Sequence, residues 1–116
     1  MKKKMSEDTI LQVSDVLKAM ADPMRLRILH SLHGGELSVT SIIETVGGSQ
    51  ANVSRHLAVL RRAGLVDCLR EGLNAFYRIT DPRIFTICES VCSSIGERLD
   101  KELGQLQAAV TSSDTT

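Results

Sequence analysis

The sequence predicts a mainly α-helical chain interrupted once by a β-hairpin, and three observations carry that prediction. Apolar residues recur at three- and four-residue spacing through most of the 116 residues. Two Asp-Pro pairs (Asp22-Pro23, Asp81-Pro82) and the glycine-bearing breaks Gly34-Gly35, Gly47-Gly48 and Ala63-Gly64 cut that pattern into short segments. Between residues 65 and 80 the period becomes strand-like on either side of Glu71-Gly72-Leu73-Asn74. The only aromatic residues are Phe76, Tyr77 and Phe85, so aliphatic side chains must fill the core. That favours helix packed on helix and argues against an aromatic-lined catalytic cavity.

Ile10, Val13, Val16, Leu17 and Met20 place an amphipathic helix over residues 7–20. Asp22 is suited to accept from the free amides of a following turn, and Pro23 to occupy its first position. The second helix turns Leu26, Ile28, Leu29 and Leu32 inward and stops at Gly34-Gly35. Glu36-Leu37 reads as a short extended piece. Ser38 caps a third helix carrying Ile42, Ile43 and Val46, and Ser49 caps a fourth that runs through Arg62 with Val53, Leu57 and Leu60 inward. Two short helices joined by a glycine turn form a helix-turn-helix. Leu65–Arg70 and Ala75–Thr80 then form a hairpin directly after it, in the position of a wing. The fold expected is a winged helix-turn-helix.

Asp81-Pro82 opens a last helix by the same capping logic. Phe85, Cys88, Cys92, Ile95, Leu99, Leu103, Leu106 and Val110 step along it in threes and fours. That stripe is longer than one small domain covers, so it predicts a homodimer joined through the terminal helices; the alternative is a helix folded back on its own chain. The length fits one domain over 1–116, with 1–6 and 111–116 as flexible ends and 82–110 as the dimerisation helix.

The formal net charge is zero, but it is unevenly spread. Residues 50–78 hold five arginines against Asp67 and Glu71, a net +3, whereas 81–116 hold three cations against six carboxylates, a net −3. The local basic segment leaves an electrostatic footprint for nucleic acid, and a dimer doubles it. No secretory signal and no apolar run of spanning length is visible, so no membrane partner is expected. Three cysteines, an odd number, read as free thiols in a reducing cytoplasm.

Several of these segments resemble one family. The run Leu17-Lys18-Ala19-Met20-Ala21-Asp22-Pro23-Met24-Arg25-Leu26-Arg27-Ile28-Leu29 is similar to the opening of the ArsR/SmtB-type metal-responsive repressors. Ser49–Leu57 followed by Leu60–Val66 resembles their recognition helix, and Arg70-Glu71-Gly72 with Phe76-Tyr77-Arg78 resembles their wing. The likeness covers about residues 14–92. It implies a homodimeric winged helix on a palindromic double-stranded operator, released by a thiophilic metal or redox species.

In such an arrangement the first turns of the recognition helix enter the major groove, which makes Ser49, Gln50, Asn52, Ser54, Arg55 and His56 the candidates. Gln50 and Asn52 suit an adenine edge, and Arg55 a guanine or a phosphate. Ser54 and His56 suit packing or capping equally well. Arg61, Arg62, Arg70 and Arg78 fit backbone phosphates, unless they are simply solvated. Leu69 and Leu73 stand where relatives commonly carry basic residues, which predicts a modest salt dependence.

Cys88 and Cys92, four apart on the last helix, bring two thiols to one face with Cα atoms about 6 Å apart. A direct disulfide there is strained; a bridging soft ion or a polysulfide is easier to accommodate. Three-coordinate As(III) or Sb(III) needs a third sulfur, from Cys68 or from a second subunit. The alternative is that these cysteines only pack. No obligatory cofactor is implied. Residues 36–46 lack cysteine and no histidine follows His56, so the family's familiar early-helix thiol site and late histidine-carboxylate zinc site are absent. His30 and His33 suit a helix C-terminus better than a metal.

Two other functions compete: a ligand-independent DNA-binding regulator, and a winged helix that binds protein. An enzyme is disfavoured, because no cysteine has a nearby histidine base and no glycine-rich phosphate loop is present.

Overall fold

The computed structural model describes residues 4–114, with side chains through Val110. Helix α1 (Glu7–Met20) starts where the Ser6 hydroxyl accepts from the amide of Thr9 at 3.2 Å, and Glu7 and Asp8 lie in its first turn, where carboxylates oppose the positive helix end. Helix α2 (Pro23–Ser31) is capped by Asp22, whose carboxylate accepts from the Arg25 amide at 3.1 Å. Ser38 ends strand β1 (Leu37–Ser38) and caps α3 (Val39–Val46), accepting from the Ser41 amide at 3.1 Å. Gly47 and Gly48 turn the chain with φ of 80° and 89°, a region costly for other residues. Ser49 then caps α4 (Gln50–Arg62).

Strands β2 (Val66–Glu71) and β3 (Asn74–Ile79) form an antiparallel hairpin closed by the pair Glu71↔Asn74. Asn74, expected in the turn, is therefore the first residue of β3. The two-residue turn is Gly72-Leu73, and Gly72 has φ +63°, the first-position conformation for which a type II′ turn needs glycine. Strand β1 pairs with β3, giving the sheet order β1-β3-β2. Thr80 fastens the base of the hairpin to the end of α4: its hydroxyl donates to the Gly64 carbonyl at 2.7 Å and its amide to that of Leu65 at 3.1 Å. Ile28 and Leu29 of α2, Ile42 of α3 and Val53, Leu57 and Leu60 of α4 are closed to solvent. Together they set the angle at which α4 is presented.

The chain divides into two compact units at Asp81/Pro82. The second holds α5 (Ile84–Asp114), which begins two residues after the Asp-Pro pair. The Phe85 and Thr86 amides donate back to the carbonyls of Pro82 and Arg83 at 3.1 and 3.0 Å, so a tight turn precedes the regular helix. Of the ends expected to be flexible, 1–3 and 115–116 lie outside the described residues, whereas 111–114 continue α5 as helix and Ser6 is a cap. The structure is mainly helical with a small antiparallel wing, as the sequence predicts.

Two expectations about apolar surfaces change. Phe85, assigned by spacing to the dimer stripe, is buried together with Ile84, so the exposed stripe begins after it. In α1 only Ala19 and Met20 are buried; Ile10, Leu11, Val13 and Leu17 remain exposed. The amphipathic face of α1 is open, and a shallow groove runs along it between Met5, Val13, Leu17 and Ala21.

Candidate nucleic-acid interface and thiol pair

Burying Val53, Leu57 and Leu60 commits one side of α4 to the core and sends the other outward. Gln50, Ser54, Arg55, Arg61 and Arg62 are exposed on it, and Asn52 is half-buried. The Arg55 guanidinium donates to the Asn52 side-chain oxygen at 2.7 Å, a charge-assisted bond within the helix. It leaves the Asn52 amide group and the remaining Arg55 N–H groups as donors, a set suited to base-edge or phosphate acceptors. The Ser49 hydroxyl is occupied as the cap, accepting from the Asn52 amide at 3.1 Å. Ser49 therefore organises the helix start.

His56 departs from the base-reading role. Its ring is half-buried, with Nδ1 3.2 Å from the Arg25 guanidinium and 4.0 Å from the Asp22 carboxylate. Its position, three after Val53 and four before Leu60, is the signal that places it toward the inward side of α4. Arg25, which composition and spacing did not single out, is the centre of this cluster. Its guanidinium also donates to the carbonyls of Ala19 and Lys18 at the end of α1, the latter at 3.2 Å. The Arg25 amide holds the Asp22 carboxyl below its usual value against partial desolvation, with help from the charges of His56 and Arg25.

On the wing, Arg70 is exposed and Arg78 lies 3.8 Å from Asp67, its cross-strand partner. That half-exposed pair partly neutralises Arg78 and contributes little to stability. Cys68 faces Tyr77 across the hairpin. Burial, and then the hydrogen bond with Cys68, push the Tyr77 phenol up, while Arg61 and Arg70 act in the opposite sense. Leu73 is fully exposed at the wing tip. Arg55, Arg61 and Arg62 thus lie on α4, and Arg70 and Arg78 on the hairpin that follows it.

In α5, Cys88 is half-buried and Cys92 exposed, and both thiols are free. Exposed Ile87, Val91, Ile95, Leu99, Leu103, Leu106 and Val110 follow each other at steps of three and four, and the two cysteines fall within this stripe. Among the described residues no group of three or more His, Cys, Asp or Glu side chains is arranged to hold a metal ion. Cys88 and Cys92 supply two sulfurs, one short of pyramidal As(III) and two short of tetrahedral zinc. No helix among the described residues is long and apolar enough to cross a membrane.

Comparison with known proteins places this arrangement. A family described as a helix-turn-helix domain matches residues 20–68, from the end of α1 to the middle of β2. The chain is 38% identical over 78 residues to the HTH-type transcriptional regulator KmtR of Mycobacterium tuberculosis, covering 67% of this chain and 60% of that protein. It is 32% identical over 93 residues to the transcriptional repressor SmtB homolog of Synechocystis, covering 80% of this chain and 70% of that one. Among solved structures, the homodimeric winged helix-turn-helix DNA-binding domain Mb0332 of Mycobacterium bovis superposes with a TM-score of 0.70 at 33% identity, over 84% of this chain and 95% of the other.

Proposed function

Because the chain belongs to the ArsR/SmtB family of winged helix-turn-helix transcriptional regulators, we propose that it is a homodimeric repressor of a palindromic operator, acting in the cytoplasm and released by thiol chemistry at Cys88 and Cys92. One observation carries the reading. The polar face of α4 is turned outward, while the long apolar stripe left open on α5 contains both thiols.

Gln50, Asn52, Ser54 and Arg55 address base edges, Arg61, Arg62 and Arg70 address phosphates, and Arg78 does so less strongly because Asp67 stands beside it. The α5 stripe from Val91 to Val110 joins two protomers about a twofold axis. Two protomers then address half-sites about one helical turn of DNA apart. Cys88 and Cys92 within the stripe couple inducer chemistry to dimer geometry. An inducer shifts the equilibrium only as far as its affinities for the DNA-bound and released geometries differ. A persulfide-derived bridge needs only the two thiols of one chain; arsenite or antimonite needs a third donor, which a second copy or Cys68 supplies.

The test is release of a labelled operator duplex on addition of As(III), Cd(II), Zn(II), peroxide or persulfide, repeated with Cys88→Ser, Cys92→Ser and Cys68→Ser. At least one thiol-reactive agent is expected to release wild type and not the Cys88/Cys92 double variant. Equal release from both would remove the sensor role from Cys88 and Cys92. Absence of sequence-selective binding at moderate salt would favour a protein-binding winged helix.

A further inference from the structure

The Asp22–Arg25–His56 cluster joins three helices through one guanidinium. Arg25 is bound to the last carbonyls of α1, its own amide is bound to the cap of α2, and its Nη1 reaches the ring of His56 on α4. A guanidinium only donates, so the 3.2 Å contact requires a lone pair on Nδ1, which a neutral imidazole with its proton on Nε2 provides. A protonated ring donates from both nitrogens. It then has nothing to offer Arg25, and the acceptor at hand is the Asp22 carboxylate 4.0 Å away.

We propose that His56 is a positioning residue for the reading helix, and that its protonation transfers it from Arg25 to Asp22, so that operator discrimination falls as pH drops. The proposal rests on the reading that α4 addresses DNA. The groups that face the ring from α2 are Asp22 and Arg25. Asp15 and Lys18 of α1 line a shallow groove with Arg25 and with Arg62 of α4 itself. Asp22 remains ionised throughout the pH range concerned, because the Arg25 amide favours its charged form. Two effects act in the same direction. Losing the Arg25 bond loosens α4 against the end of α1, and an added positive charge strengthens attraction to any phosphate backbone regardless of sequence.

The experiment uses the full chain and two probes: a duplex selected by the wild type from a random pool at pH 8, and a shuffled duplex of the same composition. Their affinity ratio is measured by fluorescence anisotropy at constant ionic strength from pH 8 to pH 5.5. The wild-type ratio is expected to fall about tenfold, the scale of one hydrogen bond to a charged group. His56→Asn, whose side-chain oxygen stands in for Nδ1 and does not titrate, is expected to give a ratio that stays constant. Asp22→Asn keeps a helix cap but removes the receiving charge, so the midpoint of the fall moves to lower pH. A pH-independent wild-type ratio, a parallel fall in His56→Asn or an unmoved midpoint in Asp22→Asn overturns the proposal, and the last arm decides alone if His56→Asn does not fold. A wild type that selects no sequence at any pH overturns the DNA reading of α4, and this proposal with it.

Discussion

Leu103→Ala removes one layer of the α5 stripe without disturbing the winged unit's core. Leu103 is 56% exposed in the single chain. Burying a leucine completely is worth about 1.5–3 kcal/mol, so covering the exposed half or so is worth about 1–1.5 kcal/mol. Twofold symmetry counts the loss twice, giving about 2–3 kcal/mol and a dimer Kd raised roughly 30- to 150-fold. The stripe as a whole sets the scale. Six side chains from Val91 to Val110, each 49–61% exposed, contribute about 1 kcal/mol apiece per protomer and roughly 12 kcal/mol per dimer. The loss of translational and rotational freedom on association is about 4–15 kcal/mol, so the net is small and one layer is a large part of it. Alanine is also a better helix former than leucine, which keeps α5 itself intact. Sedimentation equilibrium over the micromolar range measures the Kd, and circular dichroism checks helicity. A Kd within twofold of wild type would refute the assignment of this face to the dimer.

Asn52→Ala breaks the pair with Arg55 and removes a base-edge donor, and is expected to lower operator affinity by about 1–3 kcal/mol with little change on shuffled DNA in a competition band shift. Leu57→Ala empties a fully buried site on the inward side of α4 and should cost about 2–5 kcal/mol in urea unfolding, with the midpoint moving and the slope unchanged. The Asp22 carboxyl is held below 3.8, so the sign is that of a depressed acid: its contribution to stability is complete above that value and is lost as pH falls through the still lower folded-state value. Asp22→Asn should therefore flatten the acid limb of stability against pH and leave the limb above neutrality unchanged, as read by thermal melting.

Much of the fold was legible because its punctuation is chemical. Ser6, Asp22, Ser38 and Ser49 each cap the helix that follows through a side-chain oxygen. Gly47, Gly48 and Gly72 sit at positive φ where the chain must turn sharply. The alternation of period marked the wing to within a residue or two. What periodicity does not encode is which body covers an apolar face. The rows on α1 and α5 have the same spacing as rows that are buried, yet Ile10, Val13 and Leu17 are open and Phe85 is not. The role of Arg25 was hidden for a different reason. Its contact with His56 spans 31 positions and depends on how α2 packs against α4, which no local pattern records. His56 itself carried a usable signal in its place beside Val53 and Leu60, outweighed by its position in a polar reading helix.

The same guanidinium bears on how a change at the open face of α1 reaches α4. Arg25 is bound to the carbonyls of Lys18 and Ala19, and Leu17 immediately before them belongs to the open face of α1. Any body that covers that face therefore touches the segment to which Arg25 is fixed. Packed helices shift as units, because close-packed interiors do not deform continuously. A displacement of the end of α1 must then either carry Arg25 with it or stretch its bonds, and Arg25 meets α4 at His56, four residues beyond Asn52 and one beyond Arg55. The reading side chains are consequently separated from the open face of α1 by one residue's hydrogen bonds rather than by the whole core.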